Sequence, residues 1–297
     1  MRRWFTAATV GAVTALALAG CGAAPAGTDR DLTDDWPAPA APRAFVPAAG
    51  VCHSTVQDVG YLAAYQPVDC ALPHRTETAH VGVLSGAAAR PGTPPPAGSA
   101  GMRAARAECD AKVEETLGGD WRTGRLGLGV VLPSPRAWGG GARWFRCDLS
   151  EQTSLDEAAP KTRTGSLKGA LSGAAPLAHR CFDPRMRSDD VQDMVPVACT
   201  SRHRAEFVGV WRSPDTSYDT FSRDNRKVHR ACRTLIARYA KVPDDGNLQY
   251  RAGSIFYHPY EREWRDGNRG VQCFLWVSDR HLTRSVKGAG TKGLPVT

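Results

Sequence analysis

The chain has 297 residues, 42% of them apolar, with 38 Lys and Arg against 30 Asp and Glu, a formal charge of +8. That length and apolar content suffice for two cores of ordinary size and exclude a wholly disordered chain. Beyond residue 20 no apolar run is long enough to cross a bilayer, and no nucleic-acid-binding motif accompanies the positive charge.

At the start of the chain, Arg2-Arg3 precedes an apolar stretch from Ala7 to Ala19 that ends in Leu18-Ala19-Gly20-Cys21. A positive region, a short apolar region and small residues before a cysteine are the order of a bacterial lipoprotein leader. Residues 1–20 are therefore expected to be removed, leaving Cys21 as the first residue with a diacylglyceryl group on its sulfur. Acyl chains of the palmitate class contribute about 0.8 kcal/mol per buried CH₂, and two chains are the minimum for stable anchoring. The expected location is the extracytoplasmic face of the cell membrane. Residues 21–48, rich in Ala, Pro, Thr and Asp, read as a disordered stalk.

Eight further cysteines follow: Cys52, Cys70, Cys109, Cys147, Cys181, Cys199, Cys232 and Cys273. An even number in an exported chain, with no Cys-x-x-Cys, points to disulfides rather than to a metal cluster. They fall into two sets of four. Cys52 and Cys70 are 18 residues apart, as are Cys181 and Cys199. Val68-Asp69-Cys70 answers to Val197-Ala198-Cys199. Each second cysteine is followed by His-Arg-x-Glu, at His74 and Glu77 and again at His203 and Glu206. Trp138 lies nine residues before Cys147, and Trp264 nine before Cys273. Thr164-Gly165-Ser166-Leu167-Lys168-Gly169 is echoed by Thr283-Arg284-Ser285-Val286-Lys287-Gly288. So many agreements in one order imply an internal duplication, with copies at 49–172 and 177–290.

In each copy a strand near the first cysteine and one near the second lead to a short strand at Ala79–Leu84 or Glu206–Trp211. The loop Gly86–Gly101, with three consecutive prolines, reads as long and flexible. A helix follows at Met102–Leu117 or Asp224–Tyr239. Val228, Ala231, Cys232, Leu235, Ile236 and Tyr239 form a stripe at helical spacing that turns the sulfur inward. Two strands close each unit, Leu126–Leu132 and Arg143–Leu149, matched by Ser254–His258 and Gly270–Val277. The expected fold class is α+β: two tandem small disulfide-braced domains, each a mainly antiparallel sheet with one packed helix. Four cysteines allow three pairings. We favour Cys52–Cys70 with Cys109–Cys147, and Cys181–Cys199 with Cys232–Cys273, so that the second bond of each pair joins the helix to the last strand.

The order of an early Cys, Val-x-Cys-x3-His-x2-Glu, a helical Cys and Trp-x8-Cys ahead of Gly-Ser-Leu-Lys-Gly resembles the septum formation domain family. The family's pattern falls on Cys70, His74 and Glu77, and again on Cys199, His203 and Glu206. Arg284 stands where the first copy has Gly165, and Arg202 where it has Pro73. The resemblance implies an envelope protein linked to cell division, often membrane-attached, with no established chemistry.

A His and a carboxylate three residues apart can serve as a general-base pair or part of a metal site. No third ligand at recognisable spacing, no His-Glu-x-x-His and no Gly-x-Ser-x-Gly accompanies them. The simpler reading makes both pairs structural, bonding turn backbone beside a disulfide. Trp138 and Trp264 are candidates for exposed sugar platforms, or for packing against a disulfide. His258 lies in an aromatic cluster with no counterpart in the first copy. From Pro176 onward 21 basic residues stand against 14 acidic ones, while from Cys21 to Ala175 15 stand against 16. A basic distal half attracts polyanions. The expectation is a non-enzymatic surface lipoprotein without a cofactor or metal. Its partners would be the membrane, through diacylglyceryl-Cys21, and an envelope protein or anionic wall polymer. The alternative is an envelope hydrolase acting through the His/Glu pairs.

Overall fold

The structure, a computed structural model, describes residues 45–188 and 190–296. The leader 1–20, Cys21 and most of the 21–48 segment lie outside the described residues. Residues 44–297 form one compact unit. Within it are two mainly antiparallel sheets, each covered by one long helix, and the mixed α+β class expected from the sequence is what is found.

The first sheet is built from β1 (Val51–His53), β2 (Val59–Gly60), β3 (Pro67–Val68), β4 (Thr76–Val83), β5 (Leu126–Pro133) and β6 (Trp144–Glu151), in the order β2-β5-β6-β4-β1-β3. All its neighbours are antiparallel except β2 on β5. The second sheet comprises β7 (Cys181–Arg187), β8 (Asp190–Val197), β9 (Ala205–Arg212), β10 (Gly253–Tyr257) and β11 (Gly270–Trp276), in the order β10-β11-β9-β7-β8. The central strands share a register. Cys52 pairs with Glu77 and Glu77 with Leu149, as Cys181 pairs with Glu206 and Glu206 with Leu275. β4 begins at Thr76, earlier than the hydrophobic pattern implies, because Thr76, Glu77 and Thr78 pair with β1.

Helix α1 (Ala100–Leu117) starts where the Ser99 side chain accepts from the Met102 amide at 3.2 Å, and it ends at Gly118, whose φ of 78° needs a residue without Cβ strain. Met102, Ala105, Cys109, Val113 and Leu117 recur every three or four residues and are buried on β5 and β6, in one core with Leu128, Phe145 and Leu149. Helix α2 (Asn225–Ala240) buries Val228, Cys232, Ile236, Ala237 and Ala240 in the same way. Four disulfides join Cys52–Cys70, Cys109–Cys147, Cys181–Cys199 and Cys232–Cys273. These are the pairs favoured above. The second and fourth tie each long helix to a central strand.

Three segments differ from the sequence expectation. Phe45 to Ala48, assigned to the stalk, pack on the first sheet. The Phe45 ring is 4.8 Å from Tyr65, and the Ala48 amide donates to the Tyr65 hydroxyl at 2.8 Å. The Gly86–Gly101 loop is held at several points. Its Ala89 and Pro91 carbonyls accept from Arg143 and from the Trp138 indole, at 2.8 and 2.7 Å. Past residue 290, Leu294 is fully buried in the second core.

Neither half is a free bead on a linker. Arg122, buried after α1, donates from Nε to Asn268 Oδ1 at 2.8 Å, and its carbonyl accepts from Gln272 at 2.7 Å. Its remaining nitrogens meet Asp110 and Asp120 within its own half at 2.9 and 3.0 Å. A buried guanidinium with this many partners is well satisfied, and it fixes the second half against the first.

Candidate functional site

The two His/Glu pairs sit in the same place in each half, at the mouth of the central strand beside the first disulfide. Glu77 and Glu206 project from strands that are hydrogen-bonded on both sides, so their direction is fixed by the sheet. All four side chains are buried, none more than 4% exposed. His74 Nδ1 lies 2.8 Å from the Leu72 carbonyl, and His203 Nδ1 lies 2.8 Å from the Ser201 carbonyl. His203 Nε2 also lies 3.1 Å from Glu206 Oε1, whereas His74 has no such bond to Glu77 and its Nε2 has no hydrogen-bond partner.

What the carboxylates hold is the repeated Ser-x-Lys-Gly segment, far away in sequence. Glu77 accepts from the Ser166 hydroxyl at 2.7 Å and from the Leu167 amide at 2.6 Å. Glu206 accepts from Ser285 at 2.7 Å, from the Val286 amide at 2.9 Å and from the Tyr239 hydroxyl at 2.7 Å. The histidine backbones complete the clamp. His74 and Arg163 exchange two hydrogen bonds of 2.9 Å, and His203 and Leu282 exchange two of 3.0 and 2.8 Å. The clamped segment then turns back over the end of its long helix. Gly169 donates to the Thr116 carbonyl and Gly288 to the Tyr239 carbonyl, satisfying acceptors that a helix C-terminus leaves open. Leu167 and Val286, between the two contacts, are buried in the cores.

This arrangement is a latch. Its carboxylate oxygens are filled by amide and hydroxyl donors and are shut off from solvent, so neither pair presents a base to a substrate. Cys181, His203 and Glu206 do bring possible ligand atoms within 4.8 Å of one another. The sulfur of Cys181 is bonded to Cys199, however, and a disulfide sulfur is not the thiolate that a metal site needs. The glycine of the first segment has a local role: Gly165 takes φ 80°, a left-handed conformation that Arg284 in the second does not share.

Both repeated tryptophans are interior. Trp138 and Trp264 are at most 1% exposed, each in a core with the helix-to-strand disulfide. Trp138 has the Arg143 guanidinium 4.1 Å above its ring, and Trp264 has that of Arg269 at 4.5 Å. The sugar-platform reading therefore falls for both, because their faces are covered. His258 packs edge-on against Phe221 at 5.4 Å and Tyr218 at 6.0 Å.

The sheets' other faces hold residues that the sequence reading overlooked. The positions after Cys52, Glu77 and Cys147 are His53, Thr78 and Asp148; the positions after Cys181, Glu206 and Cys273 are Phe182, Phe207 and Phe274. In the first half these make a buried polar chain. His53 Nε2 lies 3.1 Å from Thr78 Oγ1, Thr78 donates to Asp148 at 2.8 Å, and Asp148 pairs with Arg146 at 2.9 Å. In the second half they make an aromatic cluster, with Phe274 5.3 Å from Phe182 and 5.4 Å from Phe207. Since strand side chains alternate faces, the residue after each inward cysteine or glutamate must point the other way, and that period-two signal was available in the sequence.

Burial, with a smaller contribution from Arg146, lowers the His53 pKa to about 4, and burial with Arg125 nearby lowers that of His179 to about 3, against a hydrogen bond to Gly124 that raises it. Burial raises the Asp148 pKa, opposed by Arg146 and by its hydrogen bonds. A histidine whose folded pKa lies below its unfolded value of about 6.5 contributes stability that is complete above that value. The contribution is lost as pH falls toward 4 and then 3. The two histidines together should therefore lower the unfolding free energy by about 3–4 kcal/mol between pH 6 and pH 4.5, as read by denaturant unfolding. A His179→Phe variant, which extends the aromatic cluster, should show a shallower fall.

A family model described as septum formation matches residues 49–273. The chain belongs to the septum formation family. The match takes in the first sheet, most of the second, both latch carboxylates and all eight disulfide cysteines. Comparison with curated proteins and with solved structures gives no match. Among the described residues no helix is long and apolar enough to cross a membrane.

Proposed function

We propose that this member of the septum formation family is a non-enzymatic binding or scaffold protein of the cell envelope. In this reading it is tethered to the outer face of the membrane through diacylglyceryl-Cys21 and its two halves are tandem copies of one unit. The single observation that carries the reading is the latch: both His/Glu pairs are buried, and their carboxylates are occupied in holding the chain. Four disulfides, which persist in oxidising compartments, support a place beyond the membrane. The basic balance of the second half favours a partner with an acidic surface, an envelope protein or an anionic wall polymer.

The test is recovery of partners from membranes at low and high salt, with a Cys21→Ala chain alongside. The wild-type chain should sediment with membranes and release an acidic partner as salt rises, and Cys21→Ala should leave the membrane fraction. Release of wall fragments by the purified protein, abolished by His74→Ala with His203→Ala, would overturn the non-enzymatic reading.

A further inference from the structure

From Asn225 to Ala240 helix α2 carries no acidic residue, but it carries Arg226, Lys227, Arg230, Arg233 and Arg238. At about 100° per residue these five fall within an arc of about 140°, on the side away from the buried Val228, Cys232 and Ile236. The row runs for about 18 Å along the helix axis. Arg226, Lys227, Arg230 and Arg238 are exposed, and Arg223, just before the helix, is exposed as well. Among the described residues only Arg226 of this set has an ion pair, with Asp224 at 3.4 Å. Asp244 reaches the arc further on, where it accepts from Thr234 at 2.8 Å. The most positive stretch is therefore the first half of the row.

Packing does not call for this charge. Helix α1 holds the same place in the first half and is tied to its sheet by the matching disulfide, yet its exposed charges are Arg103 against Glu108, Glu114 and Glu115. The basic row also works against its own helix. Arg230 has like charges three or four residues away at Arg226, Lys227 and Arg233, and such pairs are destabilising. Arg226 and Lys227 stand in the first turn, where the helix dipole disfavours cations. A polyanion laid on the row would relieve both costs.

The face is selective among polyanions. Every apolar residue of α2 is buried or half-buried, so the row offers a bilayer nothing to insert and a protein no apolar centre for an interface. Arginine outnumbers lysine along it, and the guanidinium fork meets phosphate oxygens with paired hydrogen bonds. We propose that the outer face of α2 binds a linear phosphodiester polymer of the cell wall, laid along Arg223, Arg226, Lys227 and Arg230. This rests on the reading of an envelope binding protein and gives that reading its partner and its contact surface.

Binding of the purified, disulfide-bonded protein to poly(glycerol phosphate), to polyglutamate and to phosphatidylglycerol vesicles tests it. Poly(glycerol phosphate) should bind most tightly and should be released as salt rises. Arg226→Gln, Lys227→Gln and Arg230→Gln together should weaken that binding about tenfold or more. Their melting temperature should be unchanged or raised, because like charges are removed. Arg90→Gln, Arg136→Gln and Arg187→Gln together, at exposed positions away from α2, remove the same charge and should weaken binding about twofold at most. Equal weakening by the two triple variants, tighter binding to polyglutamate or to vesicles, or no binding to poly(glycerol phosphate) would overturn the proposal. Recovery of an acidic envelope protein from membranes by the wild type and the α2 variant alike would also overturn it, while leaving the envelope reading in place.

Discussion

Replacing Cys232 and Cys273 together by alanine should lower the unfolding free energy by about 4 kcal/mol on the loop-entropy relation for a separation of 41 residues. Both sulfurs are fully buried between α2 and β11, so lost packing adds to the loss of the cross-link. Removing Cys109 and Cys147, 38 residues apart and equally buried, should cost nearly the same. The Cys52–Cys70 and Cys181–Cys199 bonds each close 18 residues and should cost about 3 kcal/mol. Urea unfolding of the four double variants measures the order. A mild reductant should open the 18-residue loops first, since Cys70 and Cys199 are partly exposed while the helix-to-strand sulfurs are not.

Glu206→Ala should lose about 3–5 kcal/mol, and more than Glu77→Ala. Truncating Glu206 strands the Val286 amide, two hydroxyls and the ring of His203 in a dry interior. Glu77 holds only the Ser166 hydroxyl and the Leu167 amide, so its loss leaves fewer groups unpaired. Leaving a buried donor unsatisfied costs more than the net value of the bond it made, which is why these single changes rank beside a disulfide. Equal losses in the two variants would show that the latches do not differ in strength as their partners imply.

The scaffold was legible in the sequence for a physical reason. Eight cysteines in two matched sets restrict which elements can meet, and the stripe through Cys232 sets the face that α2 turns inward. The latch was half legible. His203 and Glu206 stand out as a pair, but their principal partners, Ser285 and Val286, are about 80 residues away, and nothing local marks a hydrogen bond across that distance. β2 and β3, two residues each, are too short to show any period. The Gly86–Gly101 loop looked free because its composition is permissive. What ties it down is the arginine and indole donors at Arg143 and Trp138, more than 40 residues on. The seam between the halves was hidden for a similar reason. Nothing local in the sequence marks Arg122, whose buried guanidinium meets Asn268, 146 residues on.

Amide hydrogen exchange at Leu167 and Val286, in the wild type and in Glu77→Gln and Glu206→Gln, tests the structural role of the His/Glu pairs most directly. In the wild type both amides should exchange as slowly as those of β6 and β11. Each variant should speed exchange at its own clamped amide by at least tenfold while the sheets stay protected. Fast exchange at both amides in the wild type, or unchanged rates in the variants, would contradict the latch and return the two pairs to the list of reactive groups.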